Sequence, residues 1–414
     1  MGELPTSFTG GRVMEILMNT FYGFLNQEGI LAIGVLGFVF AFLLFGFMGA
    51  PLLLWVLTGM IFLFGLQAPL ILIAAFGLVS LVFLIKPIRV FFVSSNILKL
   101  FKALDFIPSI SETERTALEA GVVWVEQDLF SGKPNFKNML DEPFPQLTDE
   151  ENRFLDTTVE ELLSKVDEWK IWNERKIPDS VWDFLKKEKF FGMIIPKEYG
   201  GLGFSAFANS EVIAKISSRS VPVAVTTMVP NSLGPAELLL HYGTKSQKDY
   251  YLPRLAIGEE IPCFGLTEPT AGSDAGGMQS EGILFKGEDG KIYIRINWNK
   301  RWITLAAVST IIGLAFKLKD PDRLLGGEED VGITCALIPS HTEGVILGKR
   351  HDPLGVPFYN CPTQGHDVVV DAEKAIIGGL DKAGKGWKML MESLGAGRGV
   401  SLPAQSAGSS KLCA

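Results

Sequence analysis

The chain has 414 residues, of which 38 are Lys or Arg and 46 are Asp or Glu, giving a formal charge of −8. That length allows two or three domains with a large core, and the acidic balance excludes a nucleic-acid-binding protein, which needs a basic face. No Asp, Glu, Lys or Arg occurs from Gly29 to Ile85, a 57-residue run, while the remainder has the charge density of an ordinary globular protein. Disordered, collagen-like and coiled-coil classes are thereby excluded.

After a tail at 1–28, the uncharged block comes first. A helix needs about 20 apolar residues to cross a bilayer core. The block is too long for one span, and Gly49-Ala50-Pro51 and Gln67-Ala68-Pro69 divide it into Ile30–Met48, Leu52–Leu66 and Leu70–Ile85. Two or three transmembrane helices over 29–86 are expected. A cleaved signal peptide would carry one shorter apolar region nearer the N-terminus. Lys86, Arg89, Lys99 and Lys102 follow the block with no acid until Asp105, and only Arg12 precedes it as a cation. The side following the block is therefore expected to be cytoplasmic. Phe91, Phe92, Leu98, Leu100 and Phe101 are interleaved with these cations, so the segment lies along a membrane surface or forms a solvated linker helix.

The juxtamembrane extension runs over 87–145. Ser111-Glu-Thr-Glu114 reads as a capping box opening a helix through Ala117–Glu126, and Ser131–Pro134 and Pro143–Pro145 then break the chain. A helical domain is expected over 146–261. Thr148 with Glu151 and Thr244 with Gln247 cap helices, and Phe154, Val159, Leu162, Leu163 and Val166 recur at helical spacing. Pro178-Asp-Ser180 starts another helix, to Glu188.

A β-domain is expected over 262–382. Lys291–Ile296 and much of Arg301–Lys317 alternate in polarity, Gly332–Ile338 and His366–Val370 are further strand candidates, and Gly287-Glu-Asp-Gly290 is a hairpin turn. Gly384-Lys-Gly-Trp387 opens a helix over Met389–Leu394, within a last segment at 383–414. Cys263, Cys335, Cys361 and Cys413 form no CxxC pair, and His241, His341, His351 and His366 form no HxxxH pair. No metal site or disulfide framework is expected, and the cysteine usage fits a reducing compartment.

The segment densest in small and hydroxylic residues is Cys263-Phe-Gly-Leu-Thr-Glu-Pro-Thr-Ala-Gly-Ser-Asp-Ala275. Backbone N–H groups in such a turn can hold anions, and Thr267 and Ser273 add hydroxyls; a structural glycine-rich loop is the alternative. In full wording, Leu266–Asp274 resembles the TEPxAGSD signature of acyl-CoA dehydrogenases. Pro196-Lys-Glu-Tyr-Gly-Gly-Leu-Gly203 resembles that family's PxxYGG turn. His241–Lys248 with Tyr251–Ala256 and Gly258-Glu259 resembles the helix before the signature, and Lys300-Arg-Trp-Ile-Thr304 resembles K-x-W-I-T. The resemblance covers about 146–414. The N-terminal extension is similar to that of the bacterial, membrane-associated long-chain fatty acyl-CoA dehydrogenase branch.

The resemblance implies a multidomain α+β fold: a helical domain, a β-barrel-like middle domain and a C-terminal helical bundle, preceded here by transmembrane helices. It implies FAD, lined by Phe264, Leu266, Thr267, Trp302, Ile303 and Thr304, with the Thr304 hydroxyl near flavin N5. It implies that Ser273 and Arg398 meet the acyl-CoA substrate. The implied reaction is α,β-dehydrogenation of a medium- or long-chain acyl-CoA to a trans-2-enoyl-CoA in fatty acid β-oxidation, with electrons passed to an electron-transferring flavoprotein and with a homo-oligomeric enzyme. The implied location is the bacterial inner membrane, with the catalytic portion facing the cytoplasm. The family's catalytic glutamate lies deeper in the bundle; it is expected beyond residue 414, the chain being read as an incomplete one, and Glu268 is expected to orient its loop. A non-catalytic membrane-anchored scaffold that binds acyl-CoA or flavin, and an acyl-CoA oxidase, are the competing readings. Without further bundle helices, Met389, Leu390, Met391 and Leu394 are expected to lie uncovered, with weak flavin retention and aggregation as the result.

Overall fold

A computed structural model describes residues 27–104, 106, 115, 119, 125–132 and 134–414, with side chains except those of 27, 28, 30, 31, 125–127, 233 and 394–398. Arg12, the Ser111–Glu114 capping box, most of the helix expected after it and the side chains of Leu394 and Arg398 lie outside the described residues. The chain divides into two units, Met1–Ser109 and Ile110–Ala414.

In the first unit the apolar block forms α1 (Gln27–Met48), α2 (Leu52–Gly65) and α3 (Leu70–Leu84). The breaks fall where proline removes a backbone donor, with Pro51 and Pro69 at the N-caps of α2 and α3. Aromatic contacts join α1 to α2: Phe38 stacks on Phe62 at 4.3 Å, and Phe42 meets Trp55 edge-on at 4.9 Å. Gly59 lets α3 approach α2, since a Cβ there would lie 2.8 Å from the Phe76 ring. No residue of α2 is buried. Among the described residues no single helix is long and apolar enough to cross a membrane. At 1.5 Å per residue, α2 and α3 reach only about 21–23 Å, short of the roughly 30 Å hydrocarbon core. Together Leu70–Leu84 and Lys86–Ala103 have the length and apolar composition of a span, but the pair is bent by 89°. After α3 the chain continues through a short helix Lys86–Arg89 and a π-helical turn Val90–Ser94 into α4 (Ser95–Ala103).

The second unit packs helices against one seven-stranded sheet. Of the three anticipated capping boxes, the two on described residues are formed: Thr148 accepts from Glu151 N–H and Thr244 from Gln247 N–H, each reciprocated by the partner side chain. Phe154, Val159, Leu162 and Val166 are buried along the first helical stretch. They pack with α5 (Asp179–Lys187), α6 (Ala206–Ser217) and α7 (Val221–Met228) in one core that continues into the sheet. A second cluster joins α8 (Pro235–Tyr242) and α9 (Lys245–Ala256) to Ile311, Cys335 and Leu337.

The strands are β1 (Pro262–Gly265), β2 (Glu281–Lys286), β3 (Ile292–Thr304), β4 (Ile311–Lys319), β5 (Asp330–Pro339), β6 (Val345–Leu347) and β7 (Asn360–Asp371). Asp330–Pro339 contains the expected Gly332–Ile338 strand, and Gly287–Gly290 makes the β2–β3 turn, with Gly290 at φ 80° donating to Gly287 O. The alternation read across Arg301–Lys317 belongs to two strands, separated by Leu305 at φ 66° and a short 3-10 turn. β4 itself is buried almost throughout, as a strand covered on both faces must be. β5 pairs with it antiparallel from Ile311 to Lys319. The opposite edge of β4 is shared: β1 lies parallel beside Ile311–Leu314 and β2 parallel beside Lys317–Lys319. Residues 266–280 are thus an excursion whose two ends return to one strand.

The last helix, α10, runs from Gly386 to Cys413, far past the expected Leu394. Met389 and Leu390 are buried in the second cluster and Met391 packs against it, which corrects the expectation of an uncovered apolar face. Trp387 belongs to the same contacts. Further along, Gly408 lets α10 lie against α6: a Cβ there would sit 2.1 Å from Ala214 O and 2.8 Å from Ser217 Cβ.

Candidate flavin and thioester site

The excursion 266–280 is fastened to β3 by one buried carboxylate. Glu268 accepts from the backbone N–H groups of Gln279 and Ser280, from the Ser280 hydroxyl and from Lys300 Nζ, the last at 2.8 Å. Lys300 is fully buried and also donates to Leu266 O at 3.0 Å. Arg301 N–H donates to Thr267 O at 3.1 Å. A lysine inside a core must be paired, because an isolated buried ammonium is very costly. Burial works against the Glu268 carboxylate, but the Gln279 N–H, Lys300 and Ser280 together hold its pKa below the usual carboxylate range. Glu268 therefore orients its loop, as the sequence suggested.

This depressed pKa sets a pH dependence. A carboxyl group whose folded pKa lies below its unfolded value contributes stability above the unfolded value, about 4.3 for Glu, and loses it as pH falls through the folded value. The urea midpoint of the chain is expected to fall on acidification below about pH 4. Glu268→Gln, already weakened at neutral pH, should show a shallower acid decline; equal slopes in urea titrations would contradict this account.

The same fastening places the expected site residues. Leu266 and Thr267 are half-buried where the loop meets Lys300 and Arg301. Trp302 then follows on β3 at φ 63°, within a bulge where Lys300 pairs with Thr363 and Ile303 with Cys361. The positive φ is uncommon for a bulky residue, and it turns the indole outward: Trp302 is 58% exposed, with the His351 ring edge-on at 4.8 Å. Thr304 is half-buried at the end of the strand. Phe264 is half-buried on β1, its ring filling the space a Cβ on Gly313 would take. Ile303 differs from the others: its side chain is buried in the core, so it is not on the Trp302 face. Alternation along the strand puts it on the opposite side. Ser273 stands on the exposed part of the loop, next to the turn in which Asp274 accepts from Gly277 N–H. Arg398 lies on α10, and its side chain is outside the described residues.

The hydroxyls of Thr267, Ser273 and Thr304 make no hydrogen bond to any described residue. The surface thus offers an exposed indole on a fixed backbone, flanking apolar side chains, and three uncommitted hydroxyls. That donor set fits a planar heteroaromatic ring carrying polar edges and a phosphorylated tail. Two contributors were not foreseen from sequence, Lys300 as the internal fastener and His351 against Trp302. The K-x-W wording was the only signal for the first; none existed for the second.

Two adjoining domain families match the second unit, the acyl-CoA dehydrogenase N-terminal domain over residues 146–259 and the acyl-CoA dehydrogenase middle domain over 263–372. The chain belongs to the acyl-CoA dehydrogenase family. Among curated relatives it is 33% identical over 259 residues to a 3-(aryl)acrylate reductase of Clostridium sporogenes, a match covering 62% of each chain. A Proteus mirabilis protein named HemX is 55% identical over 100 residues, 24% of this chain and 58% of that one. The solved structure of butyryl-CoA dehydrogenase from Megasphaera elsdenii superposes with a TM-score of 0.55 at 26% identity, covering 64% of this chain and 67% of that one. The chain spans less than two thirds of the length of these curated relatives.

Proposed function

We propose that this chain forms the flavin- and thioester-binding portion of an acyl-CoA dehydrogenase, an FAD-dependent oxidoreductase acting on the CH–CH bond of an acyl-CoA. The observation that carries the reading is the joining of the Leu266–Ser273 loop to the Trp302 strand through Lys300 and Arg301. FAD, when bound, supplies the acceptor for the hydride leaving the β-carbon. Trp302, Leu266 and Phe264 hold the ring system, and the Thr267 and Thr304 hydroxyls are available to its polar edge. Ser273, on the exposed side of the loop, meets the acyl-CoA ligand, and Arg398 is assigned to the same ligand. An α-proton of a thioester is too weakly acidic to leave unless the carbonyl oxygen is hydrogen-bonded as charge develops. We assign the removal of that proton to no residue of this chain.

The uncharged block supports a further part of the proposal. Its helices expose Leu36, Phe40, Phe47, Ile61, Leu70 and Ile71, an apolar surface far larger than water-facing helices carry. We propose that α1–α3 anchor the chain to a bacterial inner membrane as a broken or re-entrant hairpin. The cation excess after the block supports a cytoplasmic position for the residues C-terminal to it. An anchor at the bilayer suits long acyl chains, which partition there, and an electron-transferring flavoprotein and a second copy of the chain are the proposed partners.

The test is a flavin titration of the purified chain in detergent. One FAD per chain is expected, with Trp302→Ala weakening binding about tenfold through loss of aromatic contact. Bleaching by a long-chain acyl-CoA with a dye acceptor would extend the reading to turnover, and oxygen consumption without dye would favour an oxidase. A folded chain that binds no FAD at saturating concentration rejects the proposal, and one that binds FAD without bleaching favours the non-catalytic scaffold.

A further inference from the structure

Helix α4 carries a second, separable feature. Projected at 100° per residue, Ile97, Leu98, Leu100 and Phe101 occupy one side, and Ser95, Asn96, Lys99 and Lys102 the other. All four apolar residues are exposed, between 42% and 54%, and the neighbouring Phe91, Phe92 and Leu104 are exposed as well. Each would ordinarily be buried, so the face lacks its partner. From Lys86 to Leu104 the segment bears four cations, Lys86, Arg89, Lys99 and Lys102, and no acid. Its polar side is therefore complementary to an anionic surface rather than to water alone, and it is continuous in sequence with the uncharged helices α1–α3.

We propose that α4 lies flat on an anionic phospholipid surface, with Ile97, Leu98, Leu100 and Phe101 sunk among the acyl chains and Lys99 and Lys102 on the headgroup phosphates. Lys86 and Arg89 meet the same headgroups at the start of the segment. This rests on the membrane-anchor reading but adds a different claim, because α1–α3 carry no charge and would enter a bilayer of any headgroup. Burial of an apolar face plus attraction of basic residues is the general recipe for an interfacial helix. Each cation near an anionic surface strengthens occupancy by roughly fivefold.

The full chain with Cys413→Ser, whose other cysteines are buried, provides the test. Single spin labels go on Phe101→Cys (apolar side), Asn96→Cys (polar side) and Leu57→Cys in α2. Each is placed in phosphatidylcholine vesicles with and without roughly 30% phosphatidylglycerol. Accessibility to oxygen and to a water-soluble nickel chelate is then read. In the anionic vesicles the label at 101 should be open to oxygen and shielded from nickel, with the label at 96 showing the reverse. Lys99→Glu with Lys102→Glu, or about 1 M salt, which shortens screening to about 3 Å, should return the label at 101 to water. If 101 stays aqueous while 57 is in lipid, the surface claim fails and the anchor stands. If 57 is aqueous too, both fail. Equal shielding of 101 in pure phosphatidylcholine overturns the headgroup claim, as does spin–spin broadening at 101 that depends on protein concentration, which would make a second copy the partner.

Discussion

Lys300→Met is expected to lower the stability of the second unit by about 3–5 kcal/mol, the cost of stranding one member of a buried ion pair. The melting temperature should drop by roughly 10 °C. The reason is geometric. Lys300 Nζ bridges Glu268 and Leu266 O, so its loss leaves a carboxylate and a carbonyl inside the protein without their shared donor. The Gln279 and Ser280 donors remain and keep part of the loop in place. Glu268→Gln combined with Lys300→Met removes both charges and should recover a substantial part of the loss, since an uncharged pair avoids the desolvation penalty. Flavin affinity should fall more in the single variant than in the double. A single variant whose stability lies within about 1 kcal/mol of the parent would show that Glu268 is not stranded, its charge being met by the Gln279 and Ser280 donors.

Gly408→Val is expected to destabilise the same unit by about 3 kcal/mol, at the upper end of overpacking effects. Most overpacked sites relax by moving a side chain. Here the obstruction is the α6 backbone at Ala214, which can give way only if one helix shifts. Amide exchange should quicken across Ala206–Ser217 and the second half of α10, while β3 and β7 keep their protection. Gly408→Ala should show a milder form of the same pattern. Unchanged exchange in α6 would mean that α10 does not rest on it.

Part of this architecture was legible in the sequence because its signals are local. Thr148 with Glu151 and Thr244 with Gln247 are complete within four residues, and the turn Gly287–Gly290 needs only its own glycines. Where burial comes from elsewhere in the chain, local pattern failed. β4 is buried on both faces, so the alternation read across Arg301–Lys317 ran two strands together and did not show where β4 begins. β1 is short and takes its place only through β4, and β2, joined to β3 by its hairpin, also meets β4 over three residues far along the chain. α10 contains Gly395, Gly397, Gly399, Gly408 and Pro403, all of which argue against a helix by propensity. Packing on α6 and the sheet overrides them. The site divides in the same way. Leu266–Asp274 and Lys300–Thr304 were recognisable as wording, yet the wording places Ile303 beside Trp302, and only the strand's alternation separates them. Apart from the K-x-W wording, nothing in the sequence marks one lysine among many as the fully buried one.

The bulge in β3 settles a question of parity. Three steps along β3, from Lys300 to Ile303, span only two on β7, from Thr363 to Cys361. The additional residue resets which side of the sheet each later position serves, so Lys300 and Ile303 both point inward while the indole between them points out. Inserting one residue into β7 between Thr363 and Cys361 would match the two step counts, remove the bulge and turn the tail of β3 by one step, with Trp302 facing in and Ile303 out. The receptive surface would be dismantled by a miscount alone, with every side chain that forms it still present.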